Sequence, residues 1–363
     1  MAKHRGRGFA TIEYPTGMNQ NGDPSQAWIK LKPDGRVDVF AGTVDIGQGS
    51  KTVHTQIVAD ALGVTPDDVE VLHGDTSVAT WGLDSYGSRS LAAGGTAIHY
   101  AAERVREKAR KLAAHELEVA EDDLEWVDGK FQVAGSPDKA MTMVEIAGAA
   151  HIPPQELPTD IEPGLEETSF YDPENFVFPF GAHACIVDVD AETGKVDVVR
   201  YVAVDDCGPA INPKLIEGQI HGGIVHAIGQ ALFERIHYDE DGQLVTGTFV
   251  DYALPSAADV PNMETDRTET PSPVNSLGVK GVGEAGTIAA SPAIVNAVID
   301  ALRPLGVNYI DMPLSPQNVW SQIQSAQGQA APGDPGKQGG SWDEHGSGSA
   351  GSGPTSPSEG GAS

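Results

Sequence analysis

The stretch from His183 to Val204, HACIVDVDAETGKVDVVRYVAV, predicts two strands joined by a tight turn. Apolar and polar residues alternate along both halves, as in strands that bury one face, and the turn falls at Glu192-Thr193-Gly194. A loop follows, and then a helix that begins at Asn212-Pro213 with apolar residues on one face. Because such a hairpin buries only one face, we expect the helix to cover it.

The same order of elements occurs earlier in the chain. A strand is predicted at Ala27–Pro33 (AWIKLKP), a turn at Pro33-Asp34-Gly35, a second strand at Arg36–Gly42 (RVDVFAG) and a helix at Lys51–Leu62 (KTVHTQIVADAL). The two copies predict an α+β protein with two lobes, each a mixed or antiparallel sheet covered by helices.

Changes in composition along the chain place the boundaries of this organisation. A proline-rich stretch with little periodicity is predicted to cross between the lobes, and a final stretch of Gly, Ser, Pro, Ala and Gln is predicted to be disordered. We therefore expect a first lobe at 1–150, a crossing at 151–180, a second lobe at 181–327 and a disordered tail at 328–363.

The charge balance narrows the choice of partners. The 363 residues include 23 basic and 52 acidic side chains, which gives a formal net charge of -29. Nucleic acid and anionic membrane would both repel such a chain, so neither is expected as a partner. Adaptation to high salt is a further hypothesis, since salt screens self-repulsion. It predicts loss of the fold at low KCl and recovery at molar KCl.

The cysteines and the N-terminal sequence predict a reducing, cytoplasmic setting. Cys185 and Cys207 are too few for a disulfide scaffold and form no C-x-x-C motif. The N-terminal sequence MAKHRGRGFATIEYP has no apolar run of the kind found in signal peptides. We expect no membrane span, because no stretch of the sequence approaches the roughly 18 apolar residues that a span needs.

A glycine motif raises the question of what kind of enzyme this is. The run Gly278–Thr287, GVKGVGEAGT, contains a literal G-x-G-x-x-G at Gly281 to Gly286. A dinucleotide fingerprint needs a helix that begins inside the motif, whereas the helix start is predicted later, at Ser291-Pro292. This spacing argues against the fingerprint, and a plain tight turn stays open as an alternative.

The unusual feature of the motif is Glu284, a carboxylate among glycines. Glycine lets the backbone approach a ligand closely because it has no Cβ. A carboxylate that is held there and shielded from water could serve as a general base near neutral pH. Lys280 could contact an anion, or could be exposed to solvent.

Three further loops could bind a ligand. Asp45–Ser50 (DIGQGS) leads into a helix N-terminus, which is a natural anion site. Ser85–Ser90 (SYGSRS) suits phosphate or polar cofactor contacts, with a capped helix and an exposed Arg89 as the alternative. Asp205–Gly208 precedes a helix whose glycines allow close packing on a neighbour or a ligand. Those glycines are Gly218, Gly222, Gly223 and Gly229.

A metal held by protein side chains is not predicted. The candidate ligands have no spacing that matches a tetrahedral zinc site. They are His183, Cys185, Cys207, His221 and His226.

Taken together, these loops resemble one family. The segments GTVDIGQGSKT, YGSRS, VDDCGPAINPKLIEGQIHGG and TPSPVNSLGVKGVGEAGTIAASPAIVNAVIDAL follow one another as in the molybdenum hydroxylases. The resemblance is strongest to the large molybdopterin-binding subunits of aerobic carbon monoxide dehydrogenases. It runs from Arg5 to about Ile323 and indicates the C-terminal half of such a subunit.

The resemblance implies a role for particular residues. Glu284 falls on the family's catalytic glutamate, the base that activates a hydroxyl on molybdenum while hydride passes to a sulfido ligand. The metal is held by the dithiolene sulfurs of the pterin, so no protein ligands are required. The residues that match cofactor-binding segments are Gly47, Gln48, Gly49, Thr52, Ser88, Arg89, Asp206, Asn212, Lys280, Gly281, Val282 and Gly283.

The resemblance also implies cofactors and partners. The cofactor would be molybdenum with molybdopterin, as the cytosine dinucleotide, and the reaction an oxidative hydroxylation of the carbon monoxide dehydrogenase, aldehyde oxidase or xanthine dehydrogenase type. FAD and [2Fe-2S] clusters are expected on medium and small partner subunits. Because family large subunits are about twice this length, either a separate chain supplies the first half or this chain is a truncated product. His226 stands where relatives often have Gln, so the wall of the cofactor or substrate site differs from theirs at this position.

Two alternatives from other classes accompany this interpretation. The chain could be a non-catalytic remnant or an assembly component that binds no molybdenum. A nicotinamide-dependent dehydrogenase is the third possibility, and it predicts that this chain alone binds NAD.

Overall fold

The computed structural model describes residues 3–17, 22, 24–78, 81–151 and 157–328, and the predicted tail beyond 328 lies outside them. The strands are β1 (Lys3–Glu13), β2 (Ser25–Leu31), β3 (Val37–Ala41), β4 (Val69–Leu72), β5 (Leu124–Val127), β6 (Lys130–Val133), β7 (Ser136–Thr142), β8 (Leu165–Tyr171), β9 (Phe180–Asp190), β10 (Val196–Asp206) and β11 (Met263–Thr268). The helices are α1 (Ser50–Leu62), α2 (Thr96–Glu116), α3 (Met143–Ala149), α4 (Pro213–Ile228), α5 (Ala285–Leu302) and α6 (Pro316–Ala326).

The earlier of the two predicted hairpins forms the centre of one sheet. Strands β2 and β3 pair antiparallel, β8 is added beside β2, and β4 lies parallel to β3. Helices α1 and α2 cover one face, as the amphipathic patterns predict. The buried side chains that join helices and sheet include Ile29, Val39, Val58, Leu62, Ile98 and Leu112.

The His183–Val204 hairpin forms the centre of the other large sheet. Strands β9 and β10 pair antiparallel as predicted, and β11 continues the sheet in parallel with β10. Helices α4 and α5 pack in the core of this half, with Ile224 and Ile294 fully buried. The α+β class, with mixed sheets covered by helices, is confirmed.

The smaller elements follow local signals. Strands β5 and β6 form a hairpin around Asp128-Gly129, and β7 completes a third, antiparallel sheet. Helix α3 begins with a capping box, in which the Thr142 hydroxyl accepts from the Glu145 N–H and the Glu145 carboxylate accepts from the Thr142 N–H. Thr65 begins only a short 3₁₀ turn at Pro66–Asp68.

Two strands cross the predicted lobe boundaries. Strand β1, at the start of the chain, pairs antiparallel with β9 in the sheet of the second half. Strand β8, inside the predicted crossing, pairs with β2 in the first half. Neither strand was predicted. In β1 the apolar alternation is broken by Gly6 and Gly8, where α5 packs so closely that an added Cβ would meet backbone oxygens at 2.0 Å. The division at 150 and 180 stays a prediction.

The start of α5 differs from the prediction. The helix begins at Ala285, inside the glycine motif, and Pro292 lies within it. Ser291 is not a cap, because its hydroxyl donates to Gln230 Oε1 at 2.7 Å. The first turn of α5 packs closely against α4, and this packing stabilises the helical residues that precede Pro292. The fingerprint is still absent, since within the described residues no strand directly precedes the motif and none follows α5.

Helix α5 also corrects an expectation about membrane spans. With the turn that follows it, Ala285–Leu305 is long and apolar enough to cross a membrane by length and composition. In the fold, 61% of this window is buried, and the helix packs against β1, β9 and α4. Its apolar character therefore matches the core helix of a folded domain.

Candidate functional site

Four chain segments that are distant in sequence converge on one cavity of about 110 Å³. They are the N-termini of α1 and α4, the turn before α2 and the glycine loop before α5. The cavity is smaller than the roughly 300–1,000 Å³ typical of small-molecule pockets, so these residues enclose only part of a larger site. The predicted residues that line it are Gln48, Ser88, Asn212, Lys280, Gly281, Val282 and Gly283.

Glu284 lies at the edge of this cavity, as the N-cap residue of α5. The Ser88 hydroxyl donates to Glu284 Oε2 at 2.7 Å, and the Glu284 N–H donates back to Ser88 Oγ at 3.1 Å. The side chain is exposed, so the described residues do not themselves provide the shielding from water that would favour a base. No other described segment covers it, and shielding would have to come from a ligand or another chain.

Gly281 explains how two distant loops come so close. A Cβ on Gly281 would lie 1.9 Å from the backbone oxygen of Ser88, so only glycine fits there. Ser88 itself has a positive φ of 57°. Gly283 is more open, with Ser88 Oγ at 3.4 Å as the nearest atom to an added Cβ. The glycines were predicted to let the backbone approach a ligand closely. At Gly281 the group that approaches is instead the backbone of the Ser88 turn.

Lys280 and Asp206 form a buried ion pair with each other. Lys280 Nζ lies 2.8 Å from Asp206 Oδ1 and 4.7 Å from the ring centre of Phe180. Although burial opposes it, hydrogen bonds from Lys280, Thr270, Gly208 and Thr268 hold the pKa of Asp206 below its ordinary value. Lys280 is therefore not exposed to solvent, and the pair fixes the start of the glycine loop against β10.

Arg89 is buried and faces the main chain. Its guanidinium donates to the carbonyl oxygens of Asp84 and Pro24, and it lies over the ring of Tyr86. The alternative of an exposed arginine is therefore wrong. The side chain holds together the turn that carries Ser88, and a direct contact with a cofactor stays a prediction.

The N-terminus of α1 contains its own anion. Asp45 Oδ1 accepts from the N–H groups of Gly47 and Gly49, at 2.8 and 3.4 Å, and Oδ2 accepts from that of Lys51 at 2.8 Å. Against the effect of burial, these bonds lower the pKa of Asp45. The carboxylate occupies the donors that were expected to bind a phosphate. Thr52 is exposed in the first turn of the helix.

Two amide side chains order the floor of the cavity. Gln48 donates to the Val44 carbonyl at 2.9 Å. Asn212 caps α4 by accepting from the Leu215 N–H at 3.1 Å, and it donates to Gln56 of α1 at 2.9 Å. The predicted helix start at Asn212 is confirmed, and this residue also joins the N-terminus of α4 to the middle of α1.

Two polar residues that line the cavity, His54 and Gln219, lie outside the loops that the sequence interpretation named, whereas Ser50 and Ser90 lie within them. Burial lowers the pKa of His54 to about 4, so the imidazole is neutral near pH 7. Its Nε2 lies 3.4 Å from the Ser90 carbonyl oxygen. The sequence signal for His54 was a histidine among the apolar positions of α1. Many histidines in protein cores show the same pattern, so it does not by itself indicate a binding site.

The described residues contain no cluster of three or more His, Cys, Asp or Glu side chains that could hold a metal ion. His183 instead contacts Tyr201 and Asp205 inside the second sheet, at 2.9 and 3.2 Å.

The fold is that of the molybdopterin cofactor-binding domains. Residues 1–261 match the family model described as molybdopterin cofactor-binding domain, and the chain belongs to that family. It corresponds to the C-terminal part of the large chains of carbon monoxide dehydrogenases. The predicted resemblance is thereby confirmed.

Curated relatives and solved structures agree on this placement. The large chain of carbon monoxide dehydrogenase from Hydrogenophaga pseudoflava is 44% identical over 296 residues, which cover 82% of this chain and 36% of the relative. The nicotine 6-hydroxylase large subunit of Paenarthrobacter nicotinovorans is 38% identical, over 81% of this chain and 36% of that subunit. The chain thus spans little more than a third of the length of these relatives.

Two crystal structures share the fold. The Cu,Mo-CO dehydrogenase is 40% identical with a TM-score of 0.84, and the match covers 90% of this chain and 42% of that one. Quinoline 2-oxidoreductase from Pseudomonas putida 86 is also 40% identical, with a TM-score of 0.83 over 89% of this chain and 42% of the other.

The side chains present fit a pterin-type cofactor. The polar groups that line the cavity are neutral amides and hydroxyls, which suit the alternating donors and acceptors of a pterin ring. The lining cation, Lys280, is already paired with Asp206. Nothing lies within 4 Å of a Cβ added at Gly47 or Gly87, so both turns leave room for a ligand to approach the backbone.

Proposed function

We propose that this chain is the C-terminal half of the large subunit of a molybdenum hydroxylase, and that Glu284 is its catalytic base. The reaction would be the oxidative hydroxylation of a small molecule, of the carbon monoxide dehydrogenase, aldehyde oxidase or xanthine dehydrogenase type. The observation that carries the proposal is the hydrogen bond from Ser88 to Glu284, which holds a carboxylate at the rim of the cavity where the predicted cofactor segments meet.

Several residues would hold the cofactor, in the form of molybdopterin cytosine dinucleotide. Gln48, Ser88, Asn212 and Gly281–Gly283 line the cavity and would bind the pterin side. Gly47 and Gly49, in the loop before α1, and Thr52, in its first turn, would contact the nucleotide side, with the backbone donors of the two glycines already bound to Asp45. When bound, the cofactor supplies the molybdenum centre that accepts electrons from the substrate. Arg89, Lys280 and Asp206 would act by holding the loops in place.

Glu284 has the geometry of a base at this rim. Its Oε2 accepts a hydrogen bond from Ser88, and none of the described residues donates to Oε1. Oε1 is thus the atom that would accept a proton during the reaction. In the complete site, the cofactor and the missing half would exclude water from this carboxylate and strengthen its action as a base.

The proposed partners rest on the family of the chain and on its surface. The first half of the large subunit would come from a separate chain, with FAD and [2Fe-2S] clusters on medium and small subunits in the cytoplasm. The segment between α4 and β11 exposes large apolar side chains, with Phe249 at 86% and Val250 at 93% exposure. An apolar surface of this kind supports contact with another chain.

Metal analysis of the native complex tests the proposal. The complex should be purified from its own cells through a tag on this chain, with molybdenum, iron and flavin measured in each fraction. Co-purification of molybdenum and of a chain with the first half is expected. A complex without molybdenum would instead establish the non-catalytic assembly component, and NAD binding by this chain alone would establish the dehydrogenase.

A further inference from the structure

The hydrogen bonds around the Ser88 hydroxyl favour one direction for its proton. A hydroxyl donates one hydrogen bond and can accept two. Ser88 Oγ accepts from the Glu284 N–H at 3.1 Å, and the Tyr14 hydroxyl lies 3.4 Å from it. The remaining neighbour is Glu284 Oε2 at 2.7 Å, and an ionised carboxylate can only accept. The Ser88 proton is therefore directed at Oε2.

Tyr14 lies on the other side of the Ser88 hydroxyl. It directly follows β1 and is buried, and its single hydroxyl proton is within reach of both Ser88 Oγ, at 3.4 Å, and the Gly281 carbonyl oxygen, at 3.3 Å. Burial raises the pKa of Tyr14 far above its ordinary value, so the phenol keeps its proton and stays a donor at any pH near neutral. The N-terminal strand thus contributes to the order of a loop 267 residues away.

The arrangement makes the two carboxylate oxygens of Glu284 unequal. Oε2 is held by Ser88, whereas Oε1 has no donor among the described residues. Rotation of the carboxylate would break the 2.7 Å bond, and the backbone beneath it is fixed because Gly281 packs directly on the Ser88 carbonyl. One oxygen is therefore presented to a ligand in a defined position.

We propose that Ser88 is a positioning residue that selects which oxygen of Glu284 accepts the proton, with Tyr14 orienting the Ser88 hydroxyl. The inference rests on the proposed role of Glu284 as base. It assigns to the SYGSRS turn a task beyond cofactor contact, namely control of the carboxylate across the loop junction. A displaced carboxylate loses the alignment on which proton transfer depends.

The test combines turnover with a direct view of the carboxylate. Ser88→Ala and Tyr14→Phe are introduced into the whole complex, and molybdenum content, kcat and KM are measured with carbon monoxide, nicotine and quinoline as probe substrates and a dye as electron acceptor. Crystal structures of the same variants report the Glu284 rotamer independently of activity. Ser256→Ala is the matched control, because Ser256 donates an equally short bond, 2.7 Å, to Asp259 elsewhere on the surface.

We expect Ser88→Ala to keep its molybdenum and its KM, to lower kcat about 10- to 100-fold, and to show Glu284 displaced or in more than one rotamer. Tyr14→Phe should have a smaller effect in the same direction, and Ser256→Ala none. An unmoved carboxylate in Ser88→Ala would overturn the proposal whatever the activity, as would a displaced carboxylate with unchanged kcat. Full activity of Glu284→Gln would instead show that Glu284 is not the base. The Glu284 rotamers in the Ser88 variant would still show whether Ser88 positions the carboxylate.

Discussion

Gly223 of α4 and Gly286 of α5 touch backbone to backbone. A Cβ on Gly223 would lie 2.8 Å from the Gly286 Cα, and a Cβ on Gly286 would lie 2.4 Å from the Ile220 carbonyl oxygen. The Thr287 hydroxyl also donates to the Gly223 carbonyl at 3.1 Å. This crossing fixes the first turn of α5, and with it the position of Glu284.

The crossing gives a prediction with a matched control on the same helix. Gly223→Ala should lower the free energy of unfolding by about 1–3 kcal/mol, because the added methyl group meets backbone that cannot move aside. Gly222→Ala meets nothing within 4 Å and should gain up to about 1 kcal/mol from helix propensity. Urea unfolding of both variants measures the difference, and equal effects would show that the helices do not cross this closely.

The buried pair of Asp206 and Lys280 should be a strong contributor to stability. Asp206→Asn leaves the Lys280 ammonium buried without its counter-charge and should cost about 3–5 kcal/mol at pH 7. Because the pKa of Asp206 is held below its ordinary value of 3.8, this stabilisation is present above that value and is lost as pH falls through the folded pKa.

The measurement is urea unfolding of wild type and variant from pH 7 downward. The difference between them should shrink below about pH 4. Glu264→Gln is the control, since it breaks an exposed pair with Arg200 and should change little. An Asp206→Asn protein as stable as wild type would show that the pair is not formed.

His54 should make the protein sensitive to mild acid. Burial lowers its pKa from 6.5 to about 4, so the unfolded chain binds a proton between these values and the folded chain does not. Stability contributed by the neutral imidazole is therefore lost as pH falls from about 6.5 to about 4. From pH 7 to pH 5, wild type should lose about 2 kcal/mol more than His54→Gln.

Unfolding curves of wild type, His54→Gln and His54→Asn at these two pH values check this account. The two replacements do not titrate there, so both should show the same weaker dependence on pH. Parallel curves for all three proteins would mean that His54 is solvated in the folded state.

Local signals account for the parts of the fold that could be predicted from the sequence. Asn212 caps its helix through a bond to the N–H group three residues away, so this helix start could be recognised directly. Strand β1 could not be recognised, because glycines stand at Gly6 and Gly8, where α5 packs against the strand and apolar side chains would otherwise mark its buried face. The start of α5 was misplaced because packing against α4 outweighs the local signal of Pro292.

The site divides in the same way. The loops that converge on the cavity could be recognised from their glycines and from the family resemblance. Their mutual contacts could not, since Ser88 and Glu284 are 196 residues apart in sequence and Lys280 and Asp206 are 74 apart. Lys280 and Arg89 looked available to a ligand because their buried partners are visible only in three dimensions.

The most direct test of the central claim is the turnover of a Glu284→Gln complex whose molybdenum content is measured in the same preparation. Glutamine keeps the size of the side chain but cannot take up a proton as a base. The account predicts unchanged molybdenum and a fall in kcat of at least about 100-fold. Unchanged molybdenum with near-normal kcat would contradict it and remove Glu284 from the reaction.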